Sequence, residues 1–548
     1  MRFSTLSVVC CIAMLFYACS GDSAYSTKSM KVFRYNEPAG IQWLDPAKMT
    51  KYEDFLVAQQ LFNGLVALDD SLRLIPCIAA SWMESNDGKS YTFFLREDVL
   101  FHSSDLLNNE SIKVKAEDVA FSFNRIMDEK IASPGKYIFN NLLEYPNGIE
   151  IIDNYTLKIN LKTPQPSFLY QLCLPYGSIL PSEVVEHFND DFSQNAIGTG
   201  PFQLNKWKKD VKLILSRNPS YFEVNSMGEK LPFIEGISVT FIADKNQEFI
   251  NFSSGNLDMI SGIDEDGKDI LLTMNGELKD EFKSKFHLQK QPWLNTDYIG
   301  VLVDDSINSI TNNPLRSKLL RKAIGYSIDR NTLVKFLRNG IGSPAIHGFI
   351  PKGMPGFEKY KINGFNYNLP KAKELISEIN NLSSISINLA ATEQYKTLCE
   401  YLQHQIQQLG VQVKISIYTS SGLRQRIANF DATFYRKSWV ADFPEPINYF
   451  QLFYSGNLFP EKGYNYYRFQ NEVYDSLYVL SLSTPDERKR FEYYKKMQEI
   501  IHEYVPVIPL FYAETIRFFQ NNVTGVCSNS MNTLSLKKVK ILDNIFDK

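Results

Sequence analysis

Along this chain the spacing of apolar residues switches repeatedly between two and 3.6, which marks a mixed α/β protein rather than a helical bundle or a repeat array. The clearest switch lies between residues 385 and 418. Ile385, Ile387 and Leu389 alternate with polar residues as a strand, Leu398, Leu402, Ile406 and Leu409 recur at helical spacing, Gly410 stops the helix, and Val411, Val413, Ile415 and Ile417 alternate again. This predicts a βαβ unit with two parallel strands. Upstream, a helix through Leu319, Ala323 and Ile324 ends near Ile328, Asp329 is placed to cap a second helix carrying Leu333, Phe336 and Leu337, and Gly340 follows it. Asp87-Gly88 between apolar runs is a strong hairpin signal. No internal repeat and no long low-complexity linker divides the chain, so its domains are expected to be interwoven rather than strung end to end.

The N-terminus follows a different pattern. Arg2 supplies a positive start, Leu6 to Ala18 form an apolar run, and Ala18-Cys19-Ser20-Gly21 follows with small residues at a cleavage position. The run is too short to span a bilayer, so residues 1–19 read as a secretory signal. A cut before Cys19 leaves that cysteine first, which resembles a bacterial lipoprotein signal, in which the cysteine is acylated and ties the protein to a membrane. Phe16 and Tyr17 are bulkier than is usual for that motif, and an ordinary cleaved signal with an incidental cysteine is the alternative. Residues 20–30 have the polar character of a flexible tether.

Beyond the signal, roughly 530 residues remain, enough for about two to four domains with extensive cores. The net charge of −3 and the lack of a basic stripe argue against nucleic acid as a partner. Cys77, Cys173, Cys399 and Cys527 lie far apart without metal spacing, and export permits disulfides that the sequence does not pair. Aromatic residues reach 13 per cent, with 30 Tyr and 38 Phe, which suits a large lined cavity as well as core.

Catalytic machinery is not evident. The chain has no Gly-x-Ser-x-Gly elbow, no phosphate-binding glycine loop, no His-Glu-x-x-His and no Cys-x-x-Cys. Its six histidines are isolated in sequence, so neither a metal nor another cofactor is expected. Asp442 and Glu445 are spaced as an acid pair, but among 61 acidic residues such pairs arise by chance. The lack of such machinery weighs against an enzyme.

One stretch stands apart: Ser438-Trp439-Val440-Ala441-Asp442-Phe443-Pro444-Glu445-Pro446 sets Asp442 between an indole ring and two prolines. The prolines fix φ and remove backbone donors, so the turn joins neither a helix nor a central strand and the carboxylate gains a defined aim. That presents a fixed negative charge inside a rigid pocket; a surface turn carrying an acid is the competing reading.

Several motifs recur in a recognisable order. Leu44-Asp45-Pro46-Ala47 and Gln60-Leu61-Phe62-Asn63-Gly64-Leu65 come first, followed by Ala79-Ala80-Ser81-Trp82 and the block from Asp87 to Arg96 that ends at Val99-Leu100-Phe101-His102. Ala116-Glu117-Asp118-Val119 with Arg125, Gly198-Thr199-Gly200-Pro201-Phe202, Arg217 to Phe222, Leu231 to Ile237, Arg321 to Ile324 and Ser327 to Arg330 continue the series. With them the chain resembles the bacterial extracellular solute-binding proteins of family 5, the peptide, dipeptide and oligopeptide receptors of ABC importers, from about residue 32 to about 515.

The resemblance implies an α/β, two-lobed periplasmic-binding fold of type II with an extra inserted α+β domain. Lobe I would hold residues 30–69, 196–290 and 511–548, the inserted domain 70–195 and lobe II 291–510. It further implies a monomer, lipid-anchored through Cys19 at the periplasmic side or outer face of a bacterial membrane. There it captures di- to oligopeptides and delivers them by lobe closure to a permease with a cytoplasmic ATPase. Asp442 falls where peptide-binding relatives hold the ligand's α-ammonium, Trp439 matches the aromatic that walls a side-chain pocket, and Arg436 lies where some oligopeptide binders place a base near the ligand's far end. Other members bind nickel complexes, sugars, opines or haem, so a different cargo on the same fold is the alternative.

Overall fold

The computed structural model describes residues 31–104, 112–143, 147–262, 265–304, 307, 313–379 and 385–543. The expected signal, Cys19 as the expected lipidation site and the expected tether to residue 30 lie outside the described residues. Within them, β1 (Val32–Asn36), β2 (Phe202–Lys208), β3 (Lys212–Arg217), β4 (Gly236–Thr240), β5 (Met259–Ser261), β6 (Phe286–Val301), β7 (Ser386–Thr392), β8 (Gln412–Tyr418), β9 (Phe434–Val440) and β10 (Val507–Gln520) share one sheet. Its order is β8-β7-β9-β6-β10-β5-β1-β4-β3-β2, with the two-residue strand Ser343–Pro344 added against β10.

β6 and β10 run through both halves of this sheet. Phe286–Pro292 pairs antiparallel with Glu514–Gln520 on the side where β10 meets β5, and Thr296–Gly300 pairs with Val507–Tyr512 on the side where β6 meets β9. Between the two stretches the register breaks from Pro292 to Thr296. Pro292 has no ladder donor to give. Trp293 Nε1 and Asn295 Oδ1 are buried there with no hydrogen-bond partner among the described residues. Each such group costs about 1–3 kcal/mol, so the crossing is held less firmly than the ladders on either side.

The βαβ unit forms as read. β7 and β8 pair in parallel from Ser386–Gln412 to Thr392–Tyr418 around the helix Lys396–Gln407, and Gly410 takes φ +85° to end that helix. The helix Lys318–Ser327 is also present, and Asp329 accepts hydrogen bonds from the Asn331 and Thr332 amides as a cap. The element after it departs from expectation: one α-turn at Arg330–Thr332 widens into a π-helical Leu333–Leu337. The wider turn buries the adjacent Leu333 and Val334 and leaves Phe336 54% exposed, although helical spacing placed Phe336 inward. Arg330 anchors the turn, its buried guanidinium donating to the Gly325, Ile328, Phe365 and Pro509 carbonyls at 2.7–3.1 Å.

The recurring motifs serve the scaffold. Asp87-Gly88 joins Ala79–Glu84 to Ser90–Leu95 in a separate four-stranded antiparallel sheet with Thr156–Asn160 and Ile149–Asp153. Asp45 and Arg125, from two different motifs, form a bidentate ion pair at 2.8 and 2.6 Å with both side chains buried. It ties the turn after β1 to the helix Ala116–Met127 that packs on this smaller sheet. His102 Nδ1 accepts from the Gly198 amide at 3.2 Å, so Nε2 carries the proton donated to Gly200 O at 3.0 Å, and burial pushes the ring's pKa down to about 4. A Cβ on Gly198 or Gly200 would lie 2.2 or 2.4 Å from the Leu61 backbone, which explains why that turn needs glycine. Among the described residues no helix is long and apolar enough to cross a membrane, and Cys77, Cys173, Cys399 and Cys527 are free thiols.

Removing one partner of the Asp45–Arg125 pair leaves the other charge buried and uncompensated. Arg125→Ala should therefore lower the unfolding free energy by about 3–5 kcal/mol, measurable by chemical denaturation.

Candidate functional site

The site grows out of the end of β9. Past Val440 the strand is clamped, with the Ala441 amide donating to Leu294 O at 2.8 Å and the Tyr449 hydroxyl lying 2.7 Å from Leu294 O and 3.2 Å from Trp439 O. Residues 442–446 then bend, and Pro446 opens the short helix Ile447–Phe450. The bend leaves Asp442 beyond the carboxyl end of β9, next to the lone amide of that helix.

That amide, Asn448, organises the site. It is 1% exposed; its Nδ2 donates to Asp442 Oδ2 at 3.0 Å, and its Oδ1 accepts from Trp439 Nε1 at 3.0 Å and from the Asp442 amide at 3.3 Å. Trp439 and Asp442 are thereby fixed to each other through one buried side chain. Asp442 is open to solvent but sits in a recess walled by protein. The recess raises its carboxyl above the ordinary carboxylate value, against the hydrogen bond from Asn448. No ion pair with Lys or Arg relieves it among the described residues.

Aromatic side chains surround this charge. The half-buried Trp439 ring faces Tyr464 with centroids 5.6 Å apart, and Tyr464 faces Tyr466 at 6.5 Å. Tyr137 arrives from the turn Pro134–Phe139; burial and then the Asp442 charge raise its phenol. Tyr176 feels burial and Asp442 in the same order. Such a setting can hold a cation, with the carboxylate as partner and ring faces around it.

The other charged candidates are engaged elsewhere. Arg436 is half-buried, ion-paired through both carboxylate oxygens of Asp297 with Nε 3.1 Å from Oδ1, and stacked 3.2 Å over the Tyr395 ring. Strand alternation points it to the face opposite Trp439. Glu445 is buried, accepting from the Tyr494 hydroxyl at 2.6 Å and the Ile447 amide at 2.8 Å. The structure thus joins Trp439 to Asp442 and sets Arg436 apart. Sequence reasoning missed Asn448, Tyr464 and Tyr137. A single amide in the apolar run Ile447-Asn448-Tyr449-Phe450 was a usable signal for the first, whereas Tyr137 left none. Among the described residues no group of three or more His, Cys, Asp or Glu could hold a metal ion.

Two outcomes follow from these bonds. Asn448→Leu strands Trp439 Nε1 and the Asp442 amide, so stability should fall by about 1–3 kcal/mol and Trp439 emission should report a loosened ring. Because Asp442 titrates higher in the folded state than in the unfolded chain, the folded state binds more protons there and stability falls as pH rises through that interval. Asp442→Asn should therefore melt higher than the ligand-free wild type at pH 7, with the difference vanishing toward acid pH.

A family model described as "Bacterial extracellular solute-binding proteins, family 5 Middle" matches residues 73–459, well over half of the chain. The chain is 26% identical over 551 residues to the Di/tripeptide-binding protein 2 of Pseudomonas aeruginosa (strain UCBPP-PA14), covering 97% of this chain and 98% of that one. It is similar in structure to the ABC transporter-associated periplasmic binding protein DppA from Helicobacter pylori in complex with peptide STSA, with a TM-score of 0.73, 23% identity and coverage of 93% and 98%. NikZ from Campylobacter jejuni in complex with Ni(L-His) gives a TM-score of 0.71 at 21% identity over 92% and 97% of the two chains. These likenesses show the two-lobed type II periplasmic-binding fold. The two cargoes differ, and the fold does not choose between them.

Proposed function

The chain belongs to the bacterial extracellular solute-binding proteins of family 5, and from that premise we propose that it is the receptor of an ABC importer that captures short peptides outside the cytoplasmic membrane and hands them to the permease. The observation that carries this is Asp442: an uncompensated carboxylate, held by Asn448 in an aromatic recess. A peptide's α-ammonium supplies both the charge and the N–H donors that such a carboxylate lacks. The di/tripeptide-binding relative supports the same cargo class.

In this reading Asp442 anchors the amino end of the peptide and Trp439 walls the neighbouring side-chain pocket. Arg436, its charge balanced by Asp297, serves as a fixed wall of the cleft rather than a free anion receptor. Residues 30–69, 196–290 and 511–548 form lobe I, 70–195 the inserted domain and 291–510 lobe II. The break in β6 from Pro292 to Thr296 is the hinge about which the lobes close. Backbone contacts and water-filled pockets accommodate varied side chains. Acylated Cys19 keeps the monomeric receptor at the membrane beside the transmembrane subunits and their cytoplasmic ATPase. Its work is capture and release, without cofactor or catalysis.

Native mass spectrometry of protein purified without refolding should release a mixed population of short peptides, and Asp442→Ala should weaken peptide binding by about 10- to 100-fold. An empty protein that takes up a sugar or a metal chelate instead would overturn the peptide assignment. Only the ionised carboxylate attracts the ammonium, so affinity measured by calorimetry should fall as pH drops through the Asp442 pKa, beginning at a higher pH than for an ordinary aspartate. Saturating peptide should also reduce the radius of gyration in solution scattering and raise the melting temperature; an unchanged radius counts against closure.

A further inference from the structure

A series of contacts leads from Asp442 back along β9 to a second charged group. Asn448 holds Asp442 and Trp439 at 3.0 Å each, Trp439 faces Tyr464 at 5.6 Å, Tyr464 faces Tyr466 at 6.5 Å, and the Lys437 ammonium lies 4.0 Å from the centre of the Tyr466 ring. Lys437 and Trp439 are two residues apart on a strand and project from the same face. Lys437 is half-buried and has neither a hydrogen bond nor an ion pair to a carboxylate among the described residues.

Its other neighbours are cations. Arg424, on the helix Ser420–Ala428, is exposed and likewise without an ion pair, and Arg436 is already balanced by Asp297. Burial first, and then these two like charges, hold the Lys437 amine down to about 8. Other enclosed cations are satisfied within the chain: Arg125 has Asp45 at 2.6 Å, Arg468 has Asp304 at 3.0 Å, and Arg330 donates to four carbonyls. An ammonium left half-buried beside aromatic rings and further cations is complementary to an anion that the chain does not itself supply.

We propose that the cluster of Trp439, Tyr464, Tyr466 and Lys437 forms a side-chain subsite that selects an acidic residue, Asp or Glu, near the amino end of the bound peptide. Lys437 is the direct partner of that carboxylate and Arg424 adds to the positive field. The inference rests on Asp442 as the ammonium anchor. An extended ligand advances about 3.3 Å per residue with side chains alternating, and Lys437 lies two positions from Trp439 on the same strand face; with Trp439 beside the side chain nearest the anchored amino end, one of the first three ligand residues faces Lys437. The rings cover the methylenes of the acidic side chain while its oxygens meet the ammonium.

Calorimetry with trialanine, and with tripeptides carrying Glu, Gln or Lys at each position in turn, tests this on the wild type, Lys437→Met, Lys437→Arg and Asp442→Asn. At one position Glu should bind about tenfold tighter than Gln, with Lys weaker still. Lys437→Met should erase the Glu-over-Gln difference while leaving trialanine affinity within about twofold, and Lys437→Arg should keep it. Equal binding of Glu and Gln peptides at every position, or a preference that survives in Lys437→Met, overturns the subsite even where Asp442-dependent capture of trialanine holds. Failure of the folded wild type to bind any tripeptide overturns both the subsite and the peptide receptor. Should Lys437→Met not fold, the wild-type comparison of Glu with Gln decides alone.

Discussion

The structure depends on two strands that cross from one half of the sheet to the other. β6 and β10 pair along most of their length, so whatever lies on β9 at one end is mechanically tied to β5 and β1 at the other. Hydrogen-bonded ladders resist bending, yet this ladder is interrupted where Pro292 removes a donor and where Trp293 and Asn295 leave polar atoms unpaired. A rigid pair of strands with one weak step concentrates deformation there. The proposed hinge motion would use this broken register rather than a loop.

The carboxyl end of β9 benefits from that arrangement. Its backbone is clamped through Leu294 and Tyr449, and its side chains are oriented by a single amide, Asn448. Fixing an acid in this way carries an electrostatic cost that is left uncompensated, because no Lys or Arg among the described residues pairs with Asp442. In the proposed reading a ligand's ammonium would offset the cost on arrival, combining binding energy and selectivity in one group. Three positions on or just past one strand illustrate how differently neighbouring charges can be treated. Arg436 finds Asp297 on the adjacent strand, Lys437 on the opposite face finds only rings and other cations, and Asp442 past the strand's end finds an amide.

Much of the scaffold could be read before any coordinates. The βαβ unit of residues 386–418, the Asp87-Gly88 hairpin and the Asp329 cap each follow from periodicity or from backbone conformation, which act over a few residues. Where a tertiary contact competed, the local reading failed. Arg330 ties the turn after Asp329 to the carbonyls of Phe365 and Pro509, and the expected α-helix becomes a π-turn that expels Phe336. The long-range pair of Asp45 and Arg125 was present in the sequence as two separate motifs, with no indication that they met.

By itself the sequence determined the α/β class, the family and the presentation of Asp442 on a proline-fixed turn, because prolines and apolar spacing act through the residues next to them. Tertiary structure alone decided which charges would be balanced. Asp297 reaches Arg436 from 139 positions away, Tyr137 comes from the distant turn Pro134–Phe139, and Asn448 bonds two residues that an alternating strand would have left independent. Coulomb and hydrogen-bond energies depend on distance through space and on the dielectric around each group. Neither quantity is written in the spacing of residues along a chain, so the electrostatic setting of Asp442 became visible only once its surroundings had been assembled.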